Sequence, residues 1–303
     1  MTAEAHPPAQ PPSSDGDQGR RYLVVAAVVG LWMAVGIVLH LSGDAYLIAG
    51  VPLLAAFQVF VARRPVAELW FKSPSGAPLP LWAWLVAAAF MGLPAYSLVG
   101  GWAGSDWSVR LWYLCAIAGA VPLAYSLARF KRADLPPLVW CFATAGVLGI
   151  LLVAVPLFLT HHHPVVLGAN RNVVPFKAMP GPRLAEVARS FFLYLPVVFV
   201  LEEVFFRGGL DSYLHRPGDR APWGSAAFVS ALWGLWHLPL LLPALLRIMY
   251  PWAAIGFLAI VLMFVHCAVG IPLSAFWRRS GLLFVPGIVH AFIDAVRNGL
   301  QLH

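Results

Sequence analysis

Charged side chains are scarce along this chain. Asp, Glu, Lys and Arg supply 11% of its 303 residues, against about 25% in a soluble globular domain. Cysteine is scarcer still, at three residues. Cys115, Cys141 and Cys267 fall inside apolar runs without CxxC spacing, which excludes a disulfide framework and a thiolate metal site and leaves them as small packing groups. No HExxH helix occurs, and there is no internal repeat of the kind that secondary transporters show.

What fills the chain is apolar: 60% of its residues are hydrophobic, and the mean hydropathy is +0.78. A helix that crosses lipid needs roughly 20 mostly apolar residues. Nine runs qualify, at 22–42, 44–62, 79–99, 109–128, 136–159, 184–206, 223–246, 251–277 and 282–302, the first two also fitting one re-entrant pair. Helices alone satisfy their own backbone groups in lipid at these lengths. The expected fold class is therefore all-α, a polytopic transmembrane helical bundle of about eight or nine spans.

The net charge of +7 is a topology signal rather than a nucleic-acid footprint. With the N-terminus in the cytoplasm, 13 basic residues fall on the inner side, among them Arg20, Arg21, Arg63, Arg64, Arg129, Arg278 and Arg279. Six fall toward the outer side, and Arg189 lies within a run. That is the positive-inside bias, with the loop 160–183 and its three basic residues as the dissenter. Residues 1–20 are rich in Pro, Ser and Asp and read as a disordered cytoplasmic tail. They lack the basic start of a signal peptide, so the first run is expected to stay as an uncleaved span. An Ala-, Gly- and Pro-rich composition of this kind reads as bacterial, which places the protein in the inner (cytoplasmic) membrane.

Ionisable residues are unevenly placed. The helices of 21–160 are nearly free of them within their cores, whereas the last four runs hold Glu202, Glu203, His237, His266, His290 and Asp294. Such a residue at mid-bilayer costs about 2.5–3.5 kcal/mol even on lenient scales, so it faces a partner or a cavity. Within "LEEVFFRGGL", Glu203 and Arg207 stand at i, i+4 with the acid first, the favourable order for a pair. Glu202 points about 100° away on an α-helix and has no partner nearby on its own segment, which suits it to general-base work. "ALWGLWHLP" sets Trp233 one turn before His237, and "GIVHAFIDA" sets His290 and Asp294 on one face at i, i+4.

An EExxxR motif, then an aromatic-xxx-His, then HxxxN/D, in that order on C-terminal spans, resembles the CPBP (CAAX protease and bacteriocin-processing) family of intramembrane proteases. The type II CAAX prenyl endopeptidases belong to that family. The resemblance covers residues 185–300; the helices before 160 carry no recognised motif, and 184–302 forms the CPBP-like catalytic core. Two departures stand out: the aromatic is usually Phe and here is Trp233, and the last position, commonly Asn, is Asp294.

The resemblance implies that Glu202 activates a water against a peptide carbonyl and that His237 helps to hold and polarise that water. His290 and Asp294 would sit near the developing oxyanion, while Glu203, Arg207 and Trp233 orient the motifs. Asn offers an N–H to an oxyanion, but Asp donates only when protonated; an ionised Asp294 would instead orient His290. No cofactor is favoured. The alternative is Zn²⁺ on Glu202, His237 and His290. The partners implied are the lipid bilayer and a membrane-associated protein or peptide substrate, with no nucleic acid. That substrate is a prenylated CAAX protein, a bacteriocin leader or a C-terminal sorting tail. Two other classes compete. A proton- or ion-coupled transporter would use the same buried acids and histidines as an ion path, yet they lie in one half of the chain. An inert immunity or scaffold protein would have lost a motif residue, and none is lost.

Three further features read more plainly. His161, His162 and His163 open a solvated loop, and His266 is expected to be a packed residue or a helix–helix hydrogen-bond donor outside the motifs. Trp70, Trp107, Trp112, Trp223, Trp252 and Trp277 fall near run ends, as interfacial anchors do.

Overall fold

The computed structural model describes residues 15–41, 43–69, 80–100, 107–153, 180–215, 222–245 and 250–300. Ten helices carry the argument. They are α1 (Asp15–Val38), α2 (Gly43–Ala56), α3 (Leu81–Gly100), α4 (Trp107–Leu127), α5 (Leu135–Cys141), α6 (Pro180–Val198), α7 (Pro222–Trp236), α8 (Leu238–Leu245), α9 (Pro251–Ser280) and α10 (Phe284–Leu300). Among the described residues the bundle has no strand, as the apolar runs require.

Among the described residues, six helical segments are long and apolar enough to cross a membrane. The expected runs at 79–99 and 109–128 are helical as α3 and α4, and the run at 282–302 as the 17-residue α10. The histidine run, most of the 160–183 loop and Trp70 lie outside the described residues. Two boundaries are corrected. Helix α1 starts at Asp15, so residues 15–20 are its first turns, and an Asp17–Arg21 ion pair at i, i+4 runs along them. Helix α6 starts at Pro180, inside the expected loop.

The segment that matters most does not stay α-helical. Pro196 lies inside α6, and from Phe199 to Asp211 the backbone widens into π-helical turns before Ser212–Leu214. Proline lacks the N–H that an interior turn needs and its ring crowds the carbonyl one turn back. Widening is one way for the chain to continue beyond it, and π turns recur at functional sites. This stretch is enclosed: Phe205, Phe206, Arg207 and Leu210 are all 1% exposed or less.

The N-terminal helices close the bundle behind it. Trp32 of α1 packs on Phe205, Phe206 and Trp236, and its Nε1–H donates to Tyr46 O at 2.7 Å. The Tyr46 hydroxyl in turn donates to Trp236 O at 2.8 Å. In front, α9 lies along α7, and α10 along α6. The α7–α9 contact is built of small groups. A Cβ on Gly234 would meet Leu262 O closer than real Cβ atoms come, and one on Gly270 would meet Ser230 Oγ at 2.5 Å and Arg207 Nη2 at 2.9 Å. Small residues let membrane helices approach this closely.

The basic ends of several helices converge. Arg21 donates to Tyr213 O, Arg64 to Ser212 O, and Arg278 pairs with buried Asp211 while donating to Ser225 Oγ. Phe284 N–H donates to Ser126 Oγ, and Phe130 packs on Phe284. The segments at 21, 64, 126–130, 211–213, 225 and 278–284 therefore share one end of the bundle, the end that holds most of the basic residues assigned to the inner side. Trp223 and Trp252 are exposed as anchors should be, but Trp277 is fully buried and donates Nε1–H to Ser212 Oγ, so it belongs to this latch and not to an interface.

Candidate active site

Four elements bring the polar residues together inside the bundle: the widened end of α6, the C-terminal end of α7, the middle of α9, and α10.

Glu203 and Arg207 form the expected pair, with Oε1 and Nη1 3.3 Å apart and both side chains fully enclosed. The guanidinium also lies over the Trp233 ring, 4.1 Å from its centroid. Glu203 does more than meet the arginine. Its Oε1 lies 2.7 Å from His290 Nδ1, and a carboxylate can only accept there, so Nδ1 carries the proton and His290 turns Nε2 toward the remaining acids. Nε2 is 3.9 Å from Glu202 Oε2 and 3.6 Å from Asp294 Oδ2. Asp294 is held from its other side by Arg297 at 3.2 Å.

Glu202 is not left without a partner. The indole Nε1–H of Trp233 donates to its Oε2 at 2.8 Å, a contact across 31 residues that no helical periodicity anticipates. The same oxygen is 3.9 Å from His237 Nε2. His237 Nδ1 lies 2.9 Å from Trp233 O; a carbonyl accepts only, so this ring too presents a lone pair at Nε2. One carboxylate oxygen therefore faces an indole N–H and two imidazole Nε2 atoms.

Glu202, Glu203, Arg207, Trp233, His237, His290 and Asp294 thus meet in one place. His266 joins them. Of the two expectations for it, a packed residue or a helix–helix hydrogen-bond donor, the first holds: its ring stands perpendicular to Trp233 at 4.5 Å and 4.4 Å from His237. Its Nδ1–H goes to Leu262 O of its own helix, so that nitrogen makes no bond between helices. The available signal was its place as the one ionisable residue in the apolar middle of α9. Three free thiols complete the inventory of cysteines, with Cys141 buried.

The donor set also bears on a metal. One ligand atom each of Glu202, His290 and Asp294 lies within 4.8 Å of the others. The Glu202–His237 and Glu202–His290 separations of 3.9 Å are wider than the roughly 3.4 Å between two ligands of a tetrahedral Zn²⁺ with bonds of about 2.1 Å. His237 is not in the cluster of Glu202, His290 and Asp294, which thus differs from the Glu202, His237 and His290 set expected from the sequence. A Zn²⁺ held by the cluster would supply a Lewis acid for a water or a carbonyl.

The acids and histidines of the three motifs meet within the C-terminal helices of an all-helical bundle. Residues 185–296 match the family model described as Rce1-like, type II CAAX prenyl endopeptidase Rce1-like. The resemblance carried by the motifs is thereby shown over that segment, which contains all of them. The match implies protease activity in an integral membrane protein and hence a peptide substrate. No curated protein and no solved structure matches the chain.

Replacing Glu203 by Gln keeps an acceptor for His290 but strands the Arg207 charge. Breaking one half of a buried pair costs roughly 3–5 kcal/mol. Glu203→Gln should therefore melt well below the wild type in detergent, and adding Arg207→Met should recover part of the loss. A single variant as stable as the wild type would show that the pair is not a structural strut.

Proposed function

We propose that this protein is an intramembrane endopeptidase that hydrolyses a peptide bond of a membrane-associated protein or peptide with water activated by Glu202. The observation that carries the reading is the surroundings of Glu202 Oε2: an indole N–H at 2.8 Å and two imidazole Nε2 atoms at 3.9 Å each. Both nitrogens are beyond direct hydrogen-bond length but within reach through one bridging water. A neutral His237 offers its Nε2 lone pair to one water hydrogen while Glu202 takes the other. The oxygen attacks the peptide carbonyl, and Glu202 then passes its proton to the departing amine as the C–N bond breaks.

The developing oxyanion needs a donor. Asp294, paired with Arg297, is an acceptor and serves this role poorly. His290 serves it better. With the carboxylates of Glu203, Asp294 and Glu202 at 2.7, 3.6 and 3.9 Å, a second proton at Nε2 is balanced by charge and is offered to the oxyanion. In this reading Asp294 steadies His290, and Glu203 fixes its ring. Neither the hydrolysis nor this division of roles requires a metal. A prenylated CAAX protein, a bacteriocin leader and a C-terminal sorting tail are the candidate substrates, each presenting an extended segment at the bilayer.

Glu202→Gln keeps the shape and removes the base. Membrane and secreted proteomes of cells expressing it should accumulate at least one uncleaved protein that wild-type cells process. Equal processing by the variant would remove Glu202 from the chemistry. On the substrate found in this way, activity should survive prolonged phenanthroline treatment. Activity lost to the chelator and regained only with Zn²⁺ would establish the metal-dependent alternative.

Topology follows from the shared basic end, which by the positive-inside rule faces the cytoplasm together with the N-terminus. Ala133 is exposed in the turn beside that end. A cysteine placed there, in a chain whose three native cysteines are replaced, should resist a membrane-impermeant thiol reagent in intact cells and react in inside-out vesicles. Labelling in sealed cells would turn the site toward the outer face and favour exported substrates.

A further inference from the structure

We propose that His266, which belongs to none of the three motifs, is a positioning residue of this site that acts on Glu202 through the Trp233 indole. The inference rests on the reading of Glu202 as the base only for its catalytic meaning; its geometry and its test concern the indole. Trp233 is held to Glu202 by a single hydrogen bond at 2.8 Å. The direction of that bond depends on the angle of the indole plane, and the plane is set by what lies against it. The Arg207 guanidinium lies over the ring at 4.1 Å, and the His266 imidazole meets it at 90° with centroids 4.5 Å apart. His290 follows at 5.0 Å, and His237 at 5.9 Å.

His266 also packs against the second arm of the site. Its ring is 4.4 Å from that of His237 and inclined by 36°. Among the described residues it is the ring outside the motifs that packs on two of the three groups converging on Glu202 Oε2, Trp233 and His237. Its own position is unusually well fixed. The Nδ1–H bond to Leu262 O sets the tautomer and the ring orientation, and Gly234 of α7 packs against that same Leu262 carbonyl. The backbone crossing that carries His237 and Trp233 is thus the crossing that delivers His266. An apolar residue would fill the volume without the cost of a polar ring in the hydrocarbon core. A flat ring held upright by its own helix supplies an edge for the indole, which a branched aliphatic chain does not.

The test reads the Trp233 N–H directly and needs no substrate. In full-length protein labelled with 15N-tryptophan and held in lipid nanodiscs, the Trp233 indole resonance is the one lost in Trp233→Phe. Its exchange with deuterated solvent should be slow in the wild type. His266→Leu should speed that exchange at least fivefold without a comparable fall in melting temperature, whereas His266→Phe, which restores a flat ring, should bring it back to within twofold of the wild type. Unchanged exchange in His266→Leu would overturn the proposal, and so would exchange equally fast in the Leu and Phe variants. Should His266→Leu fail to fold, His266→Asn, which keeps a donor toward Leu262 O but no ring, takes its place with the same expected acceleration. These outcomes are independent of turnover, so a failure of the Glu202 assignment and a failure of this one are read in different experiments.

Discussion

Arg207 carries a charge that it does not lose in a protein, and the bundle encloses it completely. Much of the site follows from that constraint. A guanidinium in a low-dielectric interior needs a counter-charge within a few ångströms, and Glu203, one turn away, is that charge. Because Glu203 is held as the arginine's partner, its Oε1 is a fixed acceptor, and His290 must give it Nδ1–H. Nε2 of the same ring then has one direction left, toward Glu202 and Asp294. The aromatic face that shields the other side of the guanidinium is Trp233, whose N–H holds Glu202. Two of the three groups around the Glu202 carboxylate, His290 and Trp233, are thus tied to one buried cation.

A second constraint is how closely α7 and α9 approach. Gly234 against Leu262, and Gly270 against Ser230 and Arg207, leave no room for a Cβ, and Cys267 Sγ lies 3.4 Å from Ala227 O on the same seam. Between helices in lipid there is little hydrophobic drive, so association rests on packing of this kind. The same close approach puts a residue of α9 against two residues of α7. The N-terminal helices work from behind: Trp32 packs on Phe205, Phe206 and Trp236, and Tyr46 on Trp236, which backs the widened segment that carries the two glutamates and the arginine.

Much of this was legible in the sequence, for a physical reason. Lipid makes every buried ionisable residue conspicuous, so Glu202, Glu203, His237, His290 and Asp294 stood out from the apolar background, and the i, i+4 spacing of Glu203 and Arg207 needed only helical geometry. What the sequence did not show depends on contacts across helices. The Trp233–Glu202 bond joins residues on α7 and the end of α6, and the His266 ring reaches the site only through the Gly234–Leu262 crossing. Trp277 was misread because proximity to a run end does not say whether a side chain turns outward to the interface or inward to Ser212.

Adjacent glutamates on a helix point in different directions, by about 100° on an α-helix, yet in the widened stretch Phe199–Asp211 both carboxylates reach the His290 ring, one at Nδ1 and the other near Nε2. They approach it from two sides. The same ring therefore registers both acids, the first held in place by a permanent cation and the second by an indole N–H. That second holder depends on the tryptophan: a phenyl ring could shield Arg207 equally well, but it has no N–H to offer Glu202. The indole is thus the feature that ties the two carboxylates into one arrangement, because the Trp233 ring covers the partner of Glu203 while its edge holds Glu202.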